Sequence, residues 1–389
     1  MHLLRGGRVA DAAGTRTADV AIADGRIQAV GTDDTDLDPD EAETVTDVSG
    51  QFVAPGLIDS HVHVSMGGGP NVETYVDDSA FTASYRAADN LRAALKTGVT
   101  TVRDLGSRDT LAIDAGNAVA EGTLEGPRVV AAGENVVMTG GHGHWFGREA
   151  DGPAEVRKAV REQLKAGADV VKCMATGGVL TSGAQTGAPE LTPAELEALV
   201  EAANAKAVPT AAHAHGDRGI ENAVRAGITS IEHGTFMSRE SAELMAERGT
   251  FWVPTASALH GIVDHGVGAG IPEEAVDKAK EAAEAFDDAF DNALAAGVTV
   301  AMGTDAGTPF NFFAEIPQEL QYLVQHGLSP AGALEAATVN AAELLGLDDV
   351  GRVAPGYRAD LVVLDDDPNE DASVWESPAA VFANGTPVQ

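Results

Sequence analysis

The sequence predicts an α/β protein: a parallel (β/α)8 TIM barrel with a small β-sandwich domain built from both chain termini. Three observations carry this reading. Short apolar runs alternate with helical stretches through the middle of the chain, the helices stop on glycine just before the next run, and polar residues suited to chemistry gather at the ends of the runs. In a parallel barrel those C-terminal ends converge on one mouth, so residues distant in sequence meet there.

The N-terminal segment, residues 1–50, reads as short strands at 2–4, 18–22 and 26–30, followed by an acidic, turn-rich stretch at 32–43. The C-terminal segment, 350–389, is similar, with strands at 359–364 and 379–382 leading into the tight-turn pair Asn384-Gly385. Neither end holds enough apolar residues for its own core. The economical reading pairs the two ends into one composite β-sandwich beside a central domain, residues 51–349. Within that domain the strand-like runs fall at 52–58, 100–105, 128–132, 170–174, 210–212, 229–231, 251–253 and 299–302. Helical patterns lie between them at 80–96, 154–165, 193–205, 220–226, 272–295 and 331–345. Several end at Gly98, Gly167, Gly227 or Gly297, where glycine suits the left-handed position that stops a helix. Thr192-Pro193 with Glu195, and Ser329-Pro330, supply the matching start signals. A doubly wound open sheet is the main competitor, and against it no Gly-x-Gly-x-x-Gly follows the first strand.

Composition narrows the function classes. With 60 acidic against 25 basic residues the formal net charge is −35, which argues against nucleic acid as a partner, because phosphate binding needs a basic surface. No apolar run approaches the length that crosses a bilayer, and Met1-His-Leu-Leu-Arg lacks the extended apolar segment of a secretory signal. A cytoplasmic location, a small-molecule substrate and no membrane partner are expected, with a homo-oligomer left open. The single cysteine, Cys173, excludes an intrachain disulfide framework. A surface this acidic and poor in lysine resembles that of proteins from salt-loving organisms, in which concentrated cations screen self-repulsion. Activity and melting temperature are therefore expected to rise from dilute to molar KCl; a melting temperature indifferent to salt would contradict the halophilic reading.

The chemistry-bearing residues follow the strands. Alternation along an extended chain puts His61 and His63 on one side, so two imidazoles can face one metal ion. Lys172 lies inside the apolar run at 170–174, where a charged amine is costly, so it is paired, neutral or chemically modified, a carbamate being one such modification. Cys173 alternates to the opposite face as core. Later runs end in His213-Ala-His215, in Glu-His233 and in Gly-Thr-Asp305. The glycine-rich segment at 140–145 offers His142 and His144 to the mouth as substrate contacts, and Arg103 with Asp104 reads as a structural ion pair near the rim.

These motifs resemble the amidohydrolase superfamily of metal-dependent hydrolases, and within it the imidazolonepropionase-like group that includes Xaa-Pro dipeptidases, related carboxypeptidases and ochratoxin-hydrolysing amidases. The shared stretches are Pro55 to His63, Gly98 to Asp104, Thr139 to His142, Lys172 to Gly178, His213 to Gly216, Ile231 to Gly234, Gly303 to Gly307 and Gly351 to Gly356, and they cover nearly the whole chain. The resemblance implies that His61, His63 and Asp305 hold one divalent metal, that His213 and His233 hold a second, and that a carboxylated Lys172 bridges them. His213 rather than His215 is the implied ligand, with His215 beside it and, like Phe236, expected among the substrate contacts. Zinc is the default for nitrogen and oxygen donors in hydrolysis; manganese, iron or cobalt suit the same set. A water bridging two cations is acidified, and Asp305 can take its proton and pass it to the leaving amine. The implied activity is cleavage of an amide bond in a dipeptide or N-acyl amino acid with a free carboxylate, and His142 matches a family histidine suited to that carboxylate. A cyclic amide, lactone or ester is the alternative substrate, and a catalytically silent scaffold the alternative class. Phe236 departs from the tyrosine that dipeptidase-like relatives often place there, which weakens the case for a true Xaa-Pro dipeptidase.

Overall fold

A computed structural model describes residues 1–31 and 42–389. The acidic stretch expected at 32–43 lies outside the described residues except for its last two positions.

The two chain ends interleave. One sheet runs Arg26–Gly31, Asp19–Ala23, His2–Arg5, Thr44–Asp47; the other runs Thr386–Pro387, Ala380–Ala383, Leu361–Leu364, Phe52–Pro55, Arg8–Asp11, Gly14–Thr17. Leu4, Val20 and Ile27 of the first share one buried cluster with Val9, Val53, Leu361 and Phe382 of the second. That cluster draws on residues more than 300 apart, which explains why neither terminus carries a core of its own.

The run at 52–58 is two strands, not one. Phe52–Pro55 pairs antiparallel with Leu361–Leu364, whereas Leu57–Val62 pairs parallel with Val99–Asp104. The break falls at Gly56, where a Cβ would come within 2.2 Å of Thr100 Oγ1, so only glycine lets the strands approach there. His61 accordingly lies inside the second strand and His63 one residue past its end.

The parallel pairings continue from Val99–Asp104 to Arg128–Ala131, and from Val171–Met174 through Thr210–Gly216 and Ser230–Phe236 to Phe251–Val253. Asp169 N–H donates to Ala131 O at 2.8 Å, linking the two series. The last predicted strand, at 299–302, is an extended segment held by its neighbours on both sides. Trp252 N–H donates to Thr299 O, Ala301 N–H to Trp252 O, Ser60 N–H to Met302 O and Asp305 N–H to His61 O, at 3.0, 2.9, 2.9 and 2.7 Å. Asp59, fully buried, fastens the same junction by accepting from Thr304 Oγ1 at 2.6 Å and Thr304 N at 3.1 Å.

The helix expected at 331–345 is interrupted. Pro330–Glu335 and Ala341–Leu345 flank a π-turn at Ala336–Asn340, because Ala336 O accepts from Met302 N at 2.9 Å and Asn340 Nδ2 donates to Val300 O at 3.0 Å. Bonds spent on the neighbouring segment leave the helical ladder one residue out of step. Elsewhere the local signals agree with the structure: Ala80–Lys96 starts on a Ser79 cap, Pro193–Asn204 carries the Thr192/Glu195 capping box, and Gly167, Gly227 and Gly297 are left-handed. Among the described residues no helix is long and apolar enough to cross a membrane.

Candidate active site

The C-terminal ends of the parallel strands deliver six imidazoles, one carboxylate and Lys172 to a single cavity. His61 and His63 come from the first strand, His213 and His215 from Thr210–Gly216, His233 from Ser230–Phe236, His142 from the loop after Val136–Val137, and Asp305 from the segment after 299–302. The rings are packed together: His61 and His233 have centroids 5.2 Å apart, His213 and His233 4.6 Å, and His215 stacks on His233 at 4.8 Å.

Three of these rings are oriented by their outer nitrogen. His61 Nδ1 is 3.0 Å from Glu232 Oε2, and His63 Nδ1 is 2.8 Å from Gly106 O. A carboxylate and a carbonyl only accept, so both Nδ1 atoms carry a proton, and in the neutral ring it is Nε2 that presents the lone pair. His233 is set in the same way: the Thr255 hydroxyl donates its one hydrogen to Pro254 O at 2.6 Å and must accept from His233 Nδ1, also at 2.6 Å.

The inner atoms converge without partners. Asp305 Oδ1 is 3.4 Å from His61 Nε2 and 3.2 Å from His63 Nε2, yet makes no well-formed hydrogen bond, and His213 Nε2 is likewise buried and unpaired. Lone pairs and an anionic oxygen this close repel unless a proton or a cation lies among them. Two groups, His61/His233/Asp305 and His213/His215/His233, have donor atoms within 4.8 Å of one another, and the donor set fits a metal ion.

Electrostatics favour the same state. Burial, reinforced by the crowding of the imidazoles on one another and by Lys172, holds His142 down to about 3, His61 and His215 to about 4, and His213 and His233 well below their ordinary value, which keeps these rings neutral and able to ligate. His63 differs: burial lowers it, but Asp305 and Asp104 outweigh burial and raise it. Burial also pushes Asp305 up, and the neighbouring His61 and His63 rings with Lys172 overcome that and lower it from its ordinary value, leaving it ionised. Desolvation brings Lys172 down to about 8 despite Glu232 and Asp305, and among the described residues it has no salt-bridge partner. Cys173, facing away into the core, is inert, its thiol pushed up to about 12 by burial.

Arg103 and Asp104 do not pair with each other, because adjacent strand residues point to opposite faces. Arg103 instead reaches Glu232 Oε1 at 3.0 Å, while Asp104 accepts from Val64 N at 2.7 Å and Ser107 Oγ at 3.1 Å. Glu232, Asp59 and Thr255 are contributors that the sequence reading passed over. For Glu232 a signal existed: an acid inside an apolar run invites the same question as Lys172. Alternation, however, would send Glu232 and His233 to opposite faces. His233 adopts φ 69°, a left-handed conformation costing a non-glycine residue about 1–3 kcal/mol, and this turns both side chains inward. Asp305, at φ 62°, is bent likewise.

Of the proposed substrate contacts, the cavity wall contains His142 and His215 and leaves out His144 and Phe236. The chain between His142 and His144 is a turn, with Gly143 at φ 68°, so the two rings do not share a side; His144 is exposed and its Nδ1 donates to Gly141 O at 2.9 Å. Phe236 is half-buried and packs against the core, while Thr235 beside it faces the cavity. His142 Nδ1 is 2.8 Å from Thr181 Oγ1. Replacing His142 with alanine is expected to raise KM by about tenfold or more, the loss of one hydrogen bond to a charged group, and His144→Ala to leave KM within about twofold, as for surface positions. Equal KM effects in steady-state kinetics would show that the loop, not the His142 ring, matters. Apolar side chains, among them Met66, Trp145, Phe146, Leu180, Leu259 and Ile262, enclose the rest of the cavity.

Strands and helices in alternation, with a buried His/Asp group suited to a metal ion at the strand ends, make this an α/β protein with a candidate metal site. The amidohydrolase family model matches residues 52–388; the chain belongs to that family and is thereby a hydrolase. An ochratoxinase from Aspergillus niger is 33% identical over 363 residues, spanning 84% of this chain and 73% of that protein. Among solved structures, an Xaa-Pro dipeptidase with methionine in its active site superposes with a TM-score of 0.93 at 32% identity, covering 99% of both chains. A prolidase complexed with N-methylphosphonate-L-proline also gives 0.93 at 32% identity, covering 100% of this chain and 99% of that one. The fold is thus of the amidohydrolase, TIM-barrel type.

Proposed function

We propose that this chain is a binuclear metal-dependent hydrolase of amide bonds, acting in the cytoplasm on a dipeptide or N-acyl amino acid with a free carboxylate. The observation that carries this is the convergence of the His61 and His63 Nε2 atoms on an unpaired Asp305 oxygen. His61, His63 and Asp305 would hold one ion, His213 and His233 the other, with Lys172 bridging as a carbamate. The low Lys172 pKa and the lack of a salt bridge among the described residues support the carbamate, since the neutral amine is the form that adds carbon dioxide. Zinc is the expected metal. When bound, such ions supply an acidified water and polarise the scissile carbonyl.

The chain's own residues do the remainder. Asp305, ionised and next to the converging donors, takes a proton from the attacking water and returns it to the leaving amine. His142 and His215, neutral and facing the cavity, orient the substrate's oxygen atoms by hydrogen bonds. The apolar walls exclude bulk water, which strengthens each of these interactions. The ochratoxinase and prolidase likenesses support amide substrates. The domain reading joins 1–50 and 350–389 into a composite sandwich and gives 51–349 to a closed barrel; the hydrogen bonds of 299–305 support closure, and Phe52–Pro55 belongs with the sandwich. No nucleic-acid or membrane partner is proposed.

Metal content by plasma mass spectrometry tests the reading. Protein purified in high salt without chelator is expected to carry about two ions per chain, and Lys172→Ala clearly fewer. A well-folded wild type that takes up no zinc or manganese would overturn it.

A further inference from the structure

Helix Ala256–His265 starts without a cap from its own N-cap residue. Thr255 holds that position with φ 56° and ψ 50° and makes no side-chain capping bond. A threonine there ordinarily accepts from the N–H groups two or three residues on. Here its oxygen is committed to His233 Nδ1 and its hydrogen to Pro254 O.

The amides that Thr255 leaves open are taken from another helix. Glu319, fully buried on Gln318–Gln325, accepts from Ala256 N through Oε1 at 2.8 Å, and from Ser257 N and Ser257 Oγ through Oε2 at 2.7 and 2.6 Å. Two backbone amides and a hydroxyl thus share one carboxylate, which caps the helix start in place of Thr255. The same helix carries Ala258, Leu259 and Ile262 into the cavity wall.

We infer that Glu319 is a positioning residue for His233: by capping the helix from outside, it frees the Thr255 hydroxyl to fix His233 with its proton on Nδ1 and its Nε2 lone pair toward the cavity. Without the Glu319 carboxylate the open amides compete for Thr255 Oγ1. Once Thr255 turns to cap its own helix, the His233 tautomer and ring angle are no longer held. The device resolves a conflict, since one side chain cannot both cap a helix and orient a ligand.

The metal consequence rests on the function proposed above; the tautomer consequence does not. Two readouts on Glu319→Gln and Thr255→Val therefore separate them. The 15N shifts of selectively labelled His233, recorded on chelator-stripped protein, are expected to report the Nδ1–H form in wild type and a mixture of tautomers in both variants. Cobalt(II) titration followed by its d–d absorption is expected to show one of the bound ions weakened by about tenfold to a hundredfold, as when a ligand's orienting partner is removed. The doubly substituted protein should be no weaker than Thr255→Val, because the two residues act in series. Thr255→Ser, which keeps the hydroxyl, should restore the wild-type tautomer. If Glu319→Gln fails to fold, Thr255→Val with its cap intact still reads the tautomer. An unaltered His233 tautomer in folded Glu319→Gln, or additive losses of cobalt affinity, would overturn the inference. A wild type that binds no cobalt, with the tautomer change still seen in the variants, would instead remove the metal reading and leave Glu319 in its positioning role.

Discussion

Replacing Asp305 with asparagine is expected to lower turnover by about 10²–10⁴-fold, the usual contribution of a positioned proton acceptor, in a protein that stays folded and keeps much of its metal. Asparagine preserves the volume and the Oδ1 atom that faces His61 and His63, so the donor geometry survives. It loses the charge and the ability to take and return a proton at neutral pH. The position tolerates this swap better than most, because its left-handed backbone, φ 62°, suits asparagine at least as well as aspartate. Steady-state kinetics with metal analysis on the same preparation decides the matter. Near-normal turnover would remove Asp305 as the proton carrier, whereas loss of all metal would make it a ligand before anything else.

The second large effect falls beneath the imidazoles. Glu232 is wholly buried, with one oxygen 3.0 Å from Arg103 Nη2 and the other 3.0 Å from His61 Nδ1, and Ser230 Oγ donates to it at 2.5 Å. Although burial opposes ionisation, Arg103, His61 and Lys172 hold its carboxyl down to about 2. Glu232→Gln keeps the shape but leaves Arg103 as a buried, uncompensated cation, which costs about 3–5 kcal/mol. A urea midpoint in high salt is expected to fall accordingly, together with metal occupancy, because His61 loses the acceptor that sets its tautomer. Adding Arg103→Met to Glu232→Gln should recover part of the stability but none of the metal. A change below about 1 kcal/mol, the range of an exposed pair, would mean that water reaches this layer.

Local physics made much of the architecture legible. Alternating apolar runs and helices, with left-handed glycines at 167, 227 and 297, follow from chain geometry within a few residues. The pairing of His61 with His63 follows from the two-residue period of a strand. Lys172 is conspicuous because a charge in an apolar run has few explanations. Where a long-range contact outvotes the local pattern, the same reasoning fails. Gly56 splits an apolar run because Thr100 approaches it, and Ala336 and Asn340 open a helix by bonding to 300–302. His144 leaves the cavity because Gly143 turns the chain.

By itself, then, the sequence determined which side chains are available for chemistry and the order in which strands present them, since both depend on short-range periodicity. Only the tertiary structure decided how those side chains are aimed. The acceptor behind His61 lies 171 residues away on Glu232, that behind His233 is a threonine 22 residues on, and the cap that frees the threonine comes from Glu319, 63 and 62 residues beyond the Ala256 and Ser257 amides that it accepts from. Such partners are chosen by which buried donors lack an acceptor once the strands are assembled, and the strained turns at His233 and Asp305 persist because that assembly stabilises them.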